Sequence, residues 1–194
     1  MSLRPVLYAT NVSPLLKAAS SKNVSLVEGI VTYFRENLDD PDEDTLEMAR
    51  EEGEQLLGGA YADEPESEDH VNIVSALAAS LGVQDEEHMI ADGSWKQQGW
   101  DEYCELVGPI LAPSDWEKLA LLTQGVRPLF GTEIESDWSY YGYLLLGEVK
   151  QLRTALEQLA AQHPNVAETE FHKEFVGWLR VAEERNSDLW LFAS

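Results

Sequence analysis

Four histidines, one cysteine and thirty-six carboxylates are the residues of this 194-residue chain that could do chemistry, and their spacing decides which chemistry. His70, His88, His163 and His172 include no pair four residues apart, the interval that turns two imidazoles of one helix toward a metal ion. Cys104 has no second cysteine to pair with and stands among Trp100, Tyr103, Leu106 and Val107, where a buried, inert thiol is expected. Asp85-Glu86-Glu87-His88 gathers hard ligands, but consecutive residues of a helix point in different directions, so a solvated charged face is expected there. Asp39, Asp40, Asp42 and Asp44 loosely follow the alternation of a calcium loop without its central glycine. The chain has no Gly-x-Ser-x-Gly turn to expose a nucleophile, and Gly58-Gly59 has no Lys-Ser or Lys-Thr after it to cradle phosphate. No catalytic residue, cofactor or metal is therefore assigned, and a non-enzyme is the expectation.

The most distinctive patch is Trp138-Ser-Tyr-Tyr-Gly-Tyr143. Tyr and Trp combine apolar area with a hydrogen-bonding tip, so Trp138, Tyr140, Tyr141 and Tyr143 could form an interface or, with Glu133, Glu135 or Asp137, a small-molecule or hydrolase cleft over residues 133–143. The alternative is an aromatic core leading into the long helix that follows, and this packed reading is favoured.

Charge narrows the partners. Thirteen Lys and Arg against thirty-six Asp and Glu leave a formal charge of -23, which repels phosphate backbones and anionic lipid. Nucleic acid and membrane surfaces are disfavoured, a basic protein fits, and solubility alone would also account for the excess. Fifteen of the acids fall between Glu36 and Asp69, where Arg50 is the sole counter-charge. Asp39, Asp40, Asp42, Glu43 and Asp44, together with Trp138, Tyr140, Tyr141 and Tyr143 under the less favoured reading of the aromatic patch, are the candidate interaction surface. With one cysteine, no apolar leader behind Arg4 and no run of about 20 apolar residues, a cytoplasmic location is expected.

The elements that must hold these residues are mostly helices. Val6 to Thr10 reads as a strand, and Ser13-Pro14 opens a short helix. Val27, Ile30, Val31 and Phe34 mark one face of a second helix. After the Asp39-Asp40-Pro41 turn, Asp42 or Asp44 caps a third, with Leu46, Ala49, Leu56 and Leu57 inward. An exposed loop is expected over Asp63 to Asp69, and then a helix with Val71, Val74, Leu77, Ala78 and Leu81 inward, stopped by Gly82. Trp95, Trp100, Tyr103 and Val107 predict a helix opened by Ser94 and closed by Gly108. Ser114 with Glu117 predicts a capping box for one ending near Gly125. Val126 to Phe130 predicts an edge strand, because Pro128 cannot donate to a ladder. Val149, Leu152, Leu156 and Leu159 predict a long helix ended by His163-Pro164, and Phe171, Phe175, Trp178 and Ala182 predict the last one. Leu189 to Phe192 reads as a closing strand that can pair with the first. The fold expected is α+β, predominantly helical: one domain over 1–194, with a small sheet from short strands near both termini and an acidic loop-containing segment at 36–69.

Three short segments, Leu7-Tyr-Ala-Thr-Asn-Val-Ser-Pro-Leu-Leu16, Tyr141-Gly-Tyr-Leu144 before Glu148-Val149, and Trp178 with Asp188-Leu-Trp-Leu-Phe192, resemble uncharacterised bacterial proteins related to the YfbM-like group. The resemblance covers about a fifth of the chain and implies a compact bacterial α+β domain. It assigns no site residue.

Overall fold

A computed structural model describes residues 4–21, 23–58, 68–92, 97–123, 127, 129 and 140–193. Strand β1 (Pro5–Thr10) is followed by helices α1 (Ser13–Ser21), α2 (Val27–Asn37), α3 (Glu43–Gly58) and α4 (Glu68–Ser80). A short strand β2 (Met89–Asp92) leads to α5 (Gln97–Val107) and α6 (Pro113–Thr123). Strand β3 (Tyr140–Leu144), α7 (Leu146–Gln162), α8 (Pro164–Ala167), α9 (Glu170–Glu184) and β4 (Asp188–Ala193) complete the order. The expected class holds: mostly helix around one small antiparallel sheet.

The sheet order is β2-β1-β4-β3, so the first and last strands are its central pair, from Pro5 opposite Ala193 to Thr10 opposite Asp188. Because side chains alternate across a strand, each face carries its own residues. Leu7, Ala9, Tyr140, Leu144, Leu189, Leu191 and Ala193 pack toward α5 to α9. Tyr8, Tyr141, Tyr143, Trp190 and Phe192 pack toward α1 to α4. The chain thus builds one helical layer, crosses the sheet edge at β2, and builds the second layer on the opposite face. Both layers share the same four strands, which makes one domain.

Local signals explain the first layer. Val27, Ile30, Val31 and Phe34 are buried, as their period predicts. Asp42 caps α3: its Oδ1 accepts the Thr45 N–H at 2.8 Å and the Thr45 hydroxyl at 2.7 Å. Gly82, at φ 72°, ends α4 with the N–H of Val83 on the Ala78 carbonyl (2.8 Å) and its own N–H on that of Ala79 (2.9 Å). This paired closure is the usual glycine stop. Asn186, at φ 53°, closes α9 in the same way.

Four expectations change. Tyr140 to Leu144 leads into the long helix and is packed, as expected, but it does so as a buried strand. Met89 to Asp92 is a strand in what reads as an irregular stretch. Helix α4 is buried on more than one side, since Ile73, Ser75 and Ala76 are as covered as Val74 and Leu77. Helix α6 opens at Pro113, with the Ala112 carbonyl accepting the N–H groups of Asp115 and Trp116 at 2.9 Å, so Ser114 lies inside the first turn and does not form the predicted capping box. Ser94, Trp95, Gly125, most of the expected 63–69 loop and most of the expected 126–130 strand lie outside the described residues. Arg127 and Leu129, which are described, are in bends.

The closest backbone approach lies under β3. A Cβ on Gly142 would come within 2.5 Å of the Leu121 and Leu122 carbonyl oxygens, so α6 can rest on the sheet because residue 142 has no side chain.

Candidate interaction surface

The expected acidic surface lies on the first helical layer. Asp39, Asp40, Asp42, Glu43 and Asp44 are all exposed, on the turn between α2 and α3 and the first turn of α3. Asp40 takes the left-handed conformation there, φ 55°, which Asp tolerates better than most residues. Asp42 is held by Thr45, whose side-chain and backbone hydrogen bonds keep its carboxyl below the usual range. The acid continues along α3 as Glu43, Glu47, Glu51 and Glu54, at steps of four, four and three. That spacing keeps one helical face negative over about 16 Å at 1.5 Å per residue. Glu36, Asp39, Asp40, Glu43, Asp44, Glu47, Glu51 and Glu54 are exposed and make no ion pair with a described residue. Arg50 shares this face, three residues after Glu47 and four before Glu54, and its guanidinium reaches Glu28 of α2 at 3.4 Å.

Beside this stripe runs a groove of about 450 Å³ between α2 and the end of α4. Glu28, Gly29, Thr32, Tyr33 and Glu36 line it from α2, and Ala79 and Ser80 line it from α4. The two helices pack closely at this point, for a Cβ on Gly29 would lie 3.1 Å from the Ser80 side chain.

The second layer treats its acids differently. Glu148 receives Arg127 through two hydrogen bonds of 2.7 Å and the Leu145 N–H at 2.8 Å. Arg127 also lies 4.6 Å from the centre of the Tyr143 ring. Burial pushes the Glu148 carboxyl up, but the hydrogen bonds from Arg127 and Leu145 outweigh it and hold the group below its usual range. Arg153 bridges Glu157 and Glu183, and Arg180 adds a second cation to Glu157 at 2.7 Å. Lys118 pairs with Asp115 and Lys173 with Glu170. Asp188 ties two helix starts to the sheet, accepting Val12 N–H at 3.2 Å and Leu146 N–H at 2.8 Å. Glu105, Glu117, Glu168, Glu174 and Glu184 are exposed, and they are scattered over α5, α6, α9 and the link before α9.

The described tyrosines of the aromatic patch belong to the core, as its favoured packed reading expects, and not to the candidate surface. Tyr140, Tyr141 and Tyr143 are 7%, 2% and 7% exposed. Tyr141 and Tyr143 stack on fully buried Trp190 at centroid distances of 5.4 and 6.5 Å. Burial raises the Tyr141 phenol above its usual value, as it does that of Tyr143 despite Arg127 nearby. As part of an exposed interaction surface these three residues are therefore corrected. Trp138, Glu133, Glu135 and Asp137 lie outside the described residues.

One polar pair was not readable from the sequence. The Tyr103 hydroxyl and His172 Nδ1 are 2.9 Å apart inside a cage of Trp100, Phe171 and Phe175, and burial lowers the His172 pKa. Sixty-nine residues separate the two, and no local pattern joins them. Cys104 beside them is partly buried, with its thiol pushed up to about 12, so at neutral pH it carries almost no thiolate. His88 Nδ1 lies 3.2 Å from the Gly82 carbonyl and 3.4 Å from the Thr10 hydroxyl, while Glu86 and Glu87 are exposed. Among the described residues no group of three or more His, Cys, Asp and Glu is arranged to hold a metal ion, and no helix is long and apolar enough to cross a membrane.

Compared with known protein families, with curated proteins and with solved structures, the chain matches none.

Proposed function

We propose that this chain is a non-enzymatic, acidic interaction protein of immunity or regulatory type, which docks a basic protein on its α2–α3 face. The observation that carries the reading is the unequal use of charge. In the second layer many carboxylates are held by arginines, lysines or backbone N–H groups. Around α3 eight exposed carboxylates have no such partner among the described residues. Glu43, Glu47 and Glu51 repel one another at successive four-residue steps, which costs an isolated helix about 0.2–0.5 kcal/mol per pair. Only the acids near the start of α3 are offset by the helix dipole. A run that the fold does not need suits recognition, because opposite charge steers association and makes it salt-sensitive.

The test is capture of stoichiometric basic partners from native lysate, comparing the wild type with Glu43→Gln/Glu47→Gln/Glu51→Gln/Glu54→Gln. A basic protein retained by the wild type at low salt, released at high salt and not retained by the variant is the expected outcome. Recovery of no basic protein by the wild type at either ionic strength overturns the proposal. The cleft reading over residues 133–143 gains no support from Tyr140, Tyr141 and Tyr143, whose rings fill the core.

A further inference from the structure

The groove between α2 and α4 limits what kind of basic partner can dock. Glu28, Thr32 and Glu36 succeed one another at four-residue steps, so they share one face of α2. The two carboxylates stand about 12 Å apart along the axis at 1.5 Å per residue. Between them Tyr33 presents part of its ring to the same groove. Three of the residues that line it, Gly29, Ala79 and Ser80, are small. A partner backbone can therefore approach as closely as packed helices do, about 8–10 Å axis to axis. Glu36 makes no ion pair with a described residue. Glu28 has Arg50 only at 3.4 Å, with 69% of its side chain exposed, so an incoming cation can compete for it. The unpaired acids of the α3 stripe lie on the neighbouring helix and extend the same negative potential.

We propose that this groove seats one helix of the basic partner: a helix with Lys or Arg two turns apart, facing Glu28 and Glu36, and a small apolar residue between them over Gly29 and Ala79. An interval of seven or eight residues on such a helix spans about 10–12 Å, which matches the carboxylates, whereas one turn spans about half of it. A cation near Tyr33 also gains from the negative face of the ring. The inference rests on the acidic docking reading above and adds the shape and spacing of what docks.

Two helical peptides of equal charge test it, one with its lysines eight residues apart around a central alanine and one with them four residues apart. Each is titrated calorimetrically into the full-length chain, into Ala79→Leu, which adds bulk in the groove without changing charge, into Glu28→Gln/Glu36→Gln, and into the four-Gln variant of α3. Circular dichroism checks that every variant is folded. The expected result is that the wide-spaced peptide binds the wild type about tenfold more tightly than the narrow-spaced one, and that Ala79→Leu and Glu28→Gln/Glu36→Gln each remove that preference. Equal affinity for both peptides overturns the groove assignment, as does an Ala79→Leu variant that keeps the preference, or a free polyamine that binds as tightly as the wide-spaced peptide. If both peptides bind equally and only the α3 variant weakens them, the groove inference fails while acidic docking stands. If neither peptide binds the wild type, the groove inference fails and the lysate experiment judges the broader reading separately.

Discussion

The two helical layers face each other across one sheet and make opposite use of the same chemical groups. In the layer formed by α5 to α9 the aromatic rings sit on helices, Trp100, Tyr103, Phe171, Phe175 and Trp178, against mainly aliphatic strand residues. In the layer formed by α1 to α4 most rings sit on the sheet, Tyr8, Tyr141, Tyr143, Trp190 and Phe192, against aliphatic helices. Their carboxylates divide as well. Glu148, Glu157, Glu183 and Asp188 tie elements together in or beside the second layer, while Glu43, Asp44, Glu47, Glu51 and Glu54 of α3 make no ion pair with a described residue. A net charge alone would hide this division. The lesson is that an acidic protein can keep part of its charge as structure and present the rest to solvent.

That contrast can be broken most severely under β3. Gly142→Ala places a methyl group against two α6 carbonyls, and the variant is expected to lose about 3 kcal/mol or more, read as a lower denaturation midpoint or insoluble expression. Arg127→Gln should come next. It leaves the partly buried Glu148 without its bidentate partner and should cost about 2 kcal/mol by urea denaturation. It should also blunt acid sensitivity: in the wild type the Glu148 pKa is lowered by folding, so its contribution is present above the unfolded value and lost as pH falls through the folded one, and the variant has less of that contribution to lose. The wild-type advantage over Arg127→Gln should therefore shrink below about pH 4.5.

His172→Gln is expected to cost about 1 kcal/mol at pH 8 through loss of the Tyr103 contact. Burial lowers the His172 pKa, so the unfolded chain takes up the proton first and the histidine's contribution declines as pH falls below about 6.5. Melting curves of both proteins from pH 8 to pH 5 check this, and a constant difference would place His172 outside the titration. The smallest effect on stability should be that of Glu43→Gln/Glu47→Gln/Glu51→Gln on α3, where removing like-charge neighbours leaves the melting temperature equal or higher. A marked fall there would show that these acids hold the fold, and would erase the contrast between the layers.

Much of the fold is legible where the elements are amphipathic. The faces of α2 and α7, the Asp42 cap and the two terminal strands follow from local patterns, and the pairing those strands allow is the one they make. Legibility fails where a segment is covered on both sides. Tyr140 to Leu144 shows no polar alternation because helices lie on both faces, and such a strand reads as an apolar run. Helix α4 loses its single face for the same reason. Strand β2, with four residues, is too short to carry a pattern. Of the candidate surface, the acids of 39–44 were readable as exposed charge. The groove was not, because Gly29 and Ala79 belong to different helices and only packing brings them to one groove.

The central pairing of β1 with β4 also orders events during synthesis. Residues 188–193 leave the ribosome after everything they organise, yet Trp190 fills the first layer while Leu189 and Leu191 fill the second. Until they emerge, both sets of helices wait on a sheet whose middle is missing, and contacts so distant in sequence form slowly. The nascent chain must keep two apolar surfaces from other molecules until residues 188–193 emerge, and the repulsion between its many like charges is suited to that task.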